Sequence, residues 1–271
     1  MSSAPTILVF DSGLGGLTVY REVAKARPDA RLVYAADDAG FPYGARAEPE
    51  LVERVLAVMA DLISAHRPDL VVVACNTAST LVLPHLRQRF SVPFVGTVPA
   101  IKPACAASVT RLVSVLGTEA TVQREYTRAL IRDFAGGCAI TLVGSPLLAV
   151  LAEAELNGEP PPDAAIAREI APCFVEGQGA HKGARTDIVV LACTHFPLLL
   201  DRLTRLAPWP VTFLDPAPAI ARRVVDLLGG TEGRVPPPPA RITFTSGRPP
   251  SPALQAALGS FGIAATVPVG V

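Results

Sequence analysis

Short runs of aliphatic and β-branched residues, each ending in a polar or glycine-rich turn and followed by a stretch with helical spacing, alternate along the chain. That rhythm belongs to βα units and a parallel sheet, so an α/β fold is expected. Thr6 to Phe10 is the first expected strand, DSGLGG a tight turn, Leu17 to Ala26 a helix closed by Pro28, and Arg31 to Ala35 the next strand. Residues 51 to 67 carry apolar side chains at 51, 52, 55, 56, 59, 62 and 63, close to the i, i+3, i+4 spacing of a helix with one buried face. A strand ending at Ala74-Cys75 and a helix from Thr80 to Phe90 complete this series.

A second series begins near Pro99, with helix 100–108, strand 112–116, helix 119–134 and strand 139–143. Ser145 and Pro146 then suit the N-cap and first position of another helix. Asn157-Gly158 and Pro160 to Pro162 end that helix, residues 163–176 supply one more, and 187–192 form a strand. Beyond Pro208 the pattern predicts strand 211–214, helix 217–228, strand 241–245 and helix 251–260. Pro236 to Pro239 lie between two regular elements and are read as a stiff surface turn rather than a polyproline ligand.

The two series share a phrase. Residues 67–77 read RPDLVVVACNT and residues 185–195 read RTDIVVLACTH, an Arg-x-Asp start and an apolar run closed by Ala-Cys. A continuous apolar run indicates a strand covered on both faces, and ligands of parallel sheets sit beyond the carboxyl ends of such strands. Two pseudo-symmetric lobes with a cleft between them are therefore expected. Residues 1–98 with 212–271 would form the first lobe, carrying Asp11 and Cys75, and residues 99–211 the second, carrying Glu153, Cys193 and His195.

With 271 residues and an apolar fraction of 50%, the chain can build a substantial core. Its 24 basic and 24 acidic residues balance and no Lys/Arg cluster appears, which argues against a nucleic-acid or anionic-membrane partner and for a small-molecule ligand. Asp11 interrupts the first apolar run, so no secretory signal is expected, and no run approaches the length of a membrane span. Five cysteines without close pairs suit reduced thiols and a cytoplasmic location.

Buried, inert thiols are the ordinary case, and Cys105, Cys138 and Cys173 are assigned to it. Cys75 and Cys193 differ because they stand at strand ends and continue into Asn-Thr and Thr-His. Cys193 and His195 stand two apart without a CxxC, which fits neither a structural zinc site nor a redox dithiol, so no metal is expected. Two opposed acid/base groups fit best: one takes a proton from one face of a stereocentre while the other delivers a proton to the opposite face. Thiols suit this role because their proton affinity is readily shifted. Asp11, with Ser12 after it, either caps the following helix, binds a substrate ammonium or polarises Cys75. Gly13, Gly15 and Gly16 allow close backbone approach. His195 is placed to shift the proton affinity of Cys193, whereas Glu153, with Glu155 nearby, has by itself only the pattern of a solvated helical residue.

FDSGLGGLTV at 10–19, DDAGFPYG at 37–44, ACNTAST at 74–80, VLGTEATV at 115–122 and LACTHFPLL at 191–199 together resemble the glutamate racemases, and in the same order. The resemblance implies a cofactor-independent enzyme that supplies D-glutamate for peptidoglycan, with Cys75 and Cys193 as its catalytic thiols. It further implies that Asp11 assists the first thiol and Glu153 and His195 the second. Ser12, Asn76, Thr77, Thr118 and Thr194 would hold the amino acid's ammonium and α-carboxylate, and backbone around Pro42, Tyr43 and Gly44 the side-chain carboxylate. Around Glu153 the wording SPLLAVLAEAELNGE departs from the family and leaves Glu155 as a competitor. Aspartate or hydantoin racemases share the paired thiols, but Cys-Thr-His in place of Cys-Thr-Glu, and Pro-Tyr-Gly, are glutamate-like. A non-catalytic regulator on the same scaffold, such as a gyrase inhibitor, is the reading from another class; the segment before the first strand is short and uncharged and gives it no support. The lysines Lys25, Lys102 and Lys182 lie outside these segments, in keeping with the absence of a Schiff base. A homodimer is the expected assembly, although oligomeric state varies among such enzymes.

Overall fold

The computed structural model describes residues 4–229 and 239–266. The first series runs β1 (Thr6–Asp11), α1 (Leu17–Ala26), β2 (Arg31–Ala36), α2 (Glu48–His66), β3 (Leu70–Val73), α3 (Asn76–Arg89) and β4 (Phe94–Gly96). The second continues with α4 (Ile101–Ala107), β5 (Leu112–Gly117), α5 (Glu119–Gln123), α6 (Glu125–Phe134), β6 (Ala139–Gly144), α7 (Leu148–Leu156), α8 (Asp163–Ile170), β7 (Ile188–Ala192), α9 (Leu200–Leu206) and β8 (Thr212–Leu214). The chain then returns to the first lobe through α10 (Ala217–Leu228), β9 (Ala240–Phe244), α11 (Pro252–Ser260) and β10 (Ile263–Thr266). All strand pairs are parallel, in a six-stranded sheet of order β10-β9-β2-β1-β3-β4 and a four-stranded sheet of order β6-β5-β7-β8.

The two-residue period of a strand explains why the central runs are apolar throughout. In β1, Ile7 and Val9 pack toward α1 and α10 while Leu8 and Phe10 pack toward α2 and α3, so both faces are dry. In β3 the same alternation sends Val71, Val73 and then Cys75 to the α2/α3 side. β7 repeats it, with Val189, Leu191 and Cys193 on the side covered by α7 and α8. The two copies of the duplicated phrase thus build one interior strand in each sheet, β3 beside β1 and β7 beside β5.

Several boundaries differ from the pattern-based expectation. β8 pairs with β7, so the second sheet extends to Leu214 and the crossing back to the first lobe follows that strand rather than preceding it. α3 starts directly after Cys75 instead of at Thr80, which makes Cys75 the N-cap and puts Asn76 and Thr77 in the first turn. The stretch 119–134 is two helices, because Arg124 takes an extended conformation (φ −67°, ψ 142°) between them. Ser145 does not cap α7 from the adjacent position; it accepts the Leu148 amide at 3.0 Å from two residues further back, and Leu147 is the N-cap. Short β4 and β10 escape a period-based reading, and of the run Pro236 to Pro239, residues 236–238 lie outside the described residues.

Candidate active site

Cys75 is buried at the carboxyl edge of the first sheet, with Sγ 3.7 Å from Ser12 Oγ. Burial pushes its thiol up to about 12 and the negative charge of Asp11 adds to the shift, outweighing the Ala78 amide and the Ser12 hydroxyl. Asp11 is itself fully buried at the end of β1. Its Oδ2 accepts the Gly16 amide at 3.0 Å, closing the turn before α1, while its Oδ1 accepts from Thr194 Oγ1 of the other lobe at 3.3 Å. Asp11 therefore does not cap α1, whose N-cap is Gly16; it ties the turn before that helix and lies close enough to Cys75 to affect its charge.

Cys193 has different company. Its Sγ lies 3.8 Å from His195 Nδ1, and His195 Nε2 lies 2.7 Å from Glu153 Oε1. Burial works against a charged imidazole here, yet the hydrogen bonds and negative charge of Cys193 and Glu153 outweigh it and raise the His195 pKa well above its ordinary value. A ring protonated on both nitrogens donates to Glu153 on one side and toward the sulfur on the other. Glu155, the competing carboxylate, ion-pairs with Arg202 at 2.7 Å and lies outside this arrangement.

Gly13 and Gly15 in the turn of the first lobe carry no side chain where the second lobe occupies the space. A Cβ on Gly15 would stand 2.4 Å from His195 Nδ1, and one on Gly13 would stand 2.3 Å from Glu153 Oε1. In place of side chains the turn offers the Leu14 amide, which donates to Glu153 Oε1 at 2.6 Å. A second link joins the lobes where Thr77 Oγ1 meets Thr118 Oγ1 at 3.1 Å; Thr118 also caps α5 by accepting the Thr121 amide.

Between these links a cavity of about 20 Å³ is lined by Ser12, Pro42, Tyr43, Gly44, Thr118 and Thr194 together with both thiols, Asn76, Thr77 and His195. That is room for about one water, so the cleft is closed. The amide oxygen and nitrogen of Asn76 are both buried with no hydrogen-bonding partner in the protein, a cost of about 1–3 kcal/mol per group unless a ligand satisfies them. Every residue expected at the site therefore either lines the cavity or, as with Asp11 and Glu153, contacts a residue that does. Sequence reasoning missed Phe41, whose ring lies 5.3 Å from that of His195, and Ala149. Phe41 stands inside the segment DDAGFPYG, a signal that was available; Ala149 gives none. The cysteines at 105, 138 and 173 do not line the cavity. Among the described residues no group of three or more His, Cys, Asp or Glu is arranged to hold a metal ion, and no helix is long and apolar enough to cross a membrane.

Two α/β lobes, each with a parallel sheet, thus bring one thiol each to a shared cleft. Residues 7–224 match the Asp/Glu/Hydantoin racemase family, and the chain belongs to that family. Within it, the similar relatives are glutamate racemases: that of Brucella anthropi is 59% identical over 82% of this chain and 79% of its own, and that of Brucella canis 51% identical over 95% and 92%. A crystal structure of Escherichia coli glutamate racemase, in complex with L-glutamate and the activator UDP-MurNAc-ala, superposes with a TM-score of 0.88 at 39% identity over 98% of each chain.

Proposed function

We propose that the protein interconverts L- and D-glutamate without a cofactor, by deprotonation and reprotonation at Cα between Cys75 and Cys193. The observation that carries this reading is the unequal support of two thiols on one cavity. Cys75, buried beside negative Asp11, keeps its proton and is ready to give it. Cys193 faces protonated His195, which stabilises negative charge on sulfur. In one direction the Cys193 thiolate takes the Cα proton and becomes a thiol, the electron pair remains on Cα as a carbanion, and the Cys75 S–H bond breaks to protonate the opposite face. In the other direction the two sulfurs exchange roles.

Ser12, Asn76, Thr77, Thr118 and Thr194 supply hydroxyl and amide groups for the ammonium and α-carboxylate, with the unpaired Asn76 amide as the group most in need of a partner. Backbone at Pro42, Tyr43 and Gly44 receives the side-chain carboxylate. A cavity of about 20 Å³ is too small for glutamate, so the lobes open to admit it and close to exclude water. The product D-glutamate serves peptidoglycan synthesis. Five free thiols suit the cytoplasm, and a homodimer is the proposed assembly.

Incubation of the purified protein with L-glutamate in D2O tests the proposal, following optical rotation together with deuterium at Cα. Loss of rotation with one deuteron incorporated is the expected result; unchanged rotation with the thiols reduced overturns it. Faster turnover of L-aspartate in a parallel incubation would reassign the substrate.

A further inference from the structure

The strap 37–46 carries Pro42, Tyr43 and Gly44 to the cavity, and a buried carboxylate that touches none of the reacting groups holds it in place. Asp37 follows β2 and its side chain is fully buried. Arg54 of α2 grips it with a two-pronged ion pair, Nε to Oδ2 at 2.7 Å and Nη2 to Oδ1 at 2.6 Å. The Tyr43 hydroxyl donates to Oδ2, and Thr245, just past β9, donates to Oδ1 at 2.5 Å. Four donors from three separate parts of the chain thus converge on one carboxylate. The Asp37 amide also donates to the Asp11 carbonyl at 2.8 Å, joining the clamp to the end of β1. Gly40 leaves the space it needs, because a Cβ there would stand 2.4 Å from Arg54 Nε and 2.6 Å from Asp37 Oδ2.

We propose that Asp37, Arg54 and Thr245 are positioning residues that fix how far the Pro42–Gly44 strap stands from the two thiols, and so set the length of the acidic amino acid that the cleft racemises. This rests on the reading that strap backbone receives the far carboxylate. Glutamate and aspartate differ by one methylene, and the thiols are fixed to sheet ends, so the strap is the part whose placement distinguishes the two lengths. A bidentate guanidinium fixes distance and angle together, which a lysine ammonium cannot do. Thr245 brings the returning C-terminal segment into the same clamp, which gives β9 a role beyond completing the sheet.

Arg54→Lys and Thr245→Val test the inference, with kcat and KM measured for glutamate and aspartate beside the unaltered protein. Arg54→Lys is expected to raise KM for glutamate about tenfold and to lower the preference for glutamate over aspartate by a similar factor, the size of effect that one methylene of misfit produces. Thr245→Val is expected to do the same about threefold, and the pH profile of kcat is expected to stay put in both. A fall in kcat at constant KM and constant preference would mark a merely structural role and overturn the proposal, as would unchanged constants in folded variants. Should Arg54→Lys fail to fold, Thr245→Val, which loses one hydroxyl at nearly constant shape, decides by the same readouts. Failure of the unaltered protein to racemise glutamate would instead overturn the functional reading on which the proposal stands.

Discussion

Cys75 and Cys193 end equivalent strands on equivalent pleats, yet the two sides of the cleft are not copies. On the first side a buried carboxylate, Asp11, stands near the sulfur and is held by the Gly16 amide and by Thr194. On the second an imidazole linked to Glu153 faces the sulfur. Negative charge near a thiol holds its proton on; a protonated imidazole favours the thiolate. The fold therefore supplies the symmetry that brings one sulfur from each lobe to a shared cavity, and the residues around each sulfur break that symmetry.

The sharpest break of the comparison is removal of either sulfur. Cys75→Ser and Cys193→Ser should each lower racemisation by about 10³-fold or more, since each face of Cα then loses its proton carrier. Polarimetry checks this, and a variant that keeps most of its activity would show that the cleft works with one thiol. Next in size is the imidazole: His195→Asn should cost about 10²-fold and alter the pH profile, and Glu153→Gln about tenfold, because Glu153 acts through His195. Equal effects from both would mean that Glu153 does more than hold the ring.

Gly15→Ala probes the same pair from the opposite lobe. Its methyl group would meet His195 Nδ1 at 2.4 Å, so closure should misplace the ring and cost about 10–100-fold in kcat while the thermal transition of the ligand-free protein moves little. A full-strength Gly15→Ala enzyme would show that the lobes need not approach as closely as they do here.

The smallest effect is on stability against pH. Both His195 and Cys75 hold protons more tightly folded than unfolded, so both contributions decline as pH rises. That of His195 is complete below its ordinary 6.5 and is lost as pH climbs through its higher folded value. That of Cys75 is complete below its ordinary 9.0 and is lost on the way to about 12, a slope of order 1 kcal/mol per pH unit. Chemical denaturation from pH 8 upward should therefore find Cys75→Ser losing stability less steeply than the unaltered protein, and parallel curves would show that Cys75 ionises alike in both states.

Much of this was legible along the chain because strands covered on both faces must be apolar throughout and helices must repeat their apolar positions. The paired phrases, the strand-end thiols and most helices follow from those two rules. Segments too short for a period did not: β4 and β10 have three and four residues and owe their extended form to their neighbours in the sheet. Strand 211–214 does follow from its pattern, but only pairing with β7 decides that it belongs to the second sheet.

What the sequence by itself determined is the fold class, the duplication and the identity of the chemical groups, since these depend on local periodicity and on residue type. Tertiary structure alone decided which carboxylate serves which group. Glu153 and Glu155 are two residues apart on α7, and only helix packing turns the first toward His195 and leaves the second to Arg202. It alone also closed Asp37, Arg54, Tyr43 and Thr245 into one clamp, because Thr245 is far from the other three in the chain and all four meet only where β2, α2 and β9 come together. A pattern along a chain reports what each element must bury; the distance between two side chains depends on how the elements are packed.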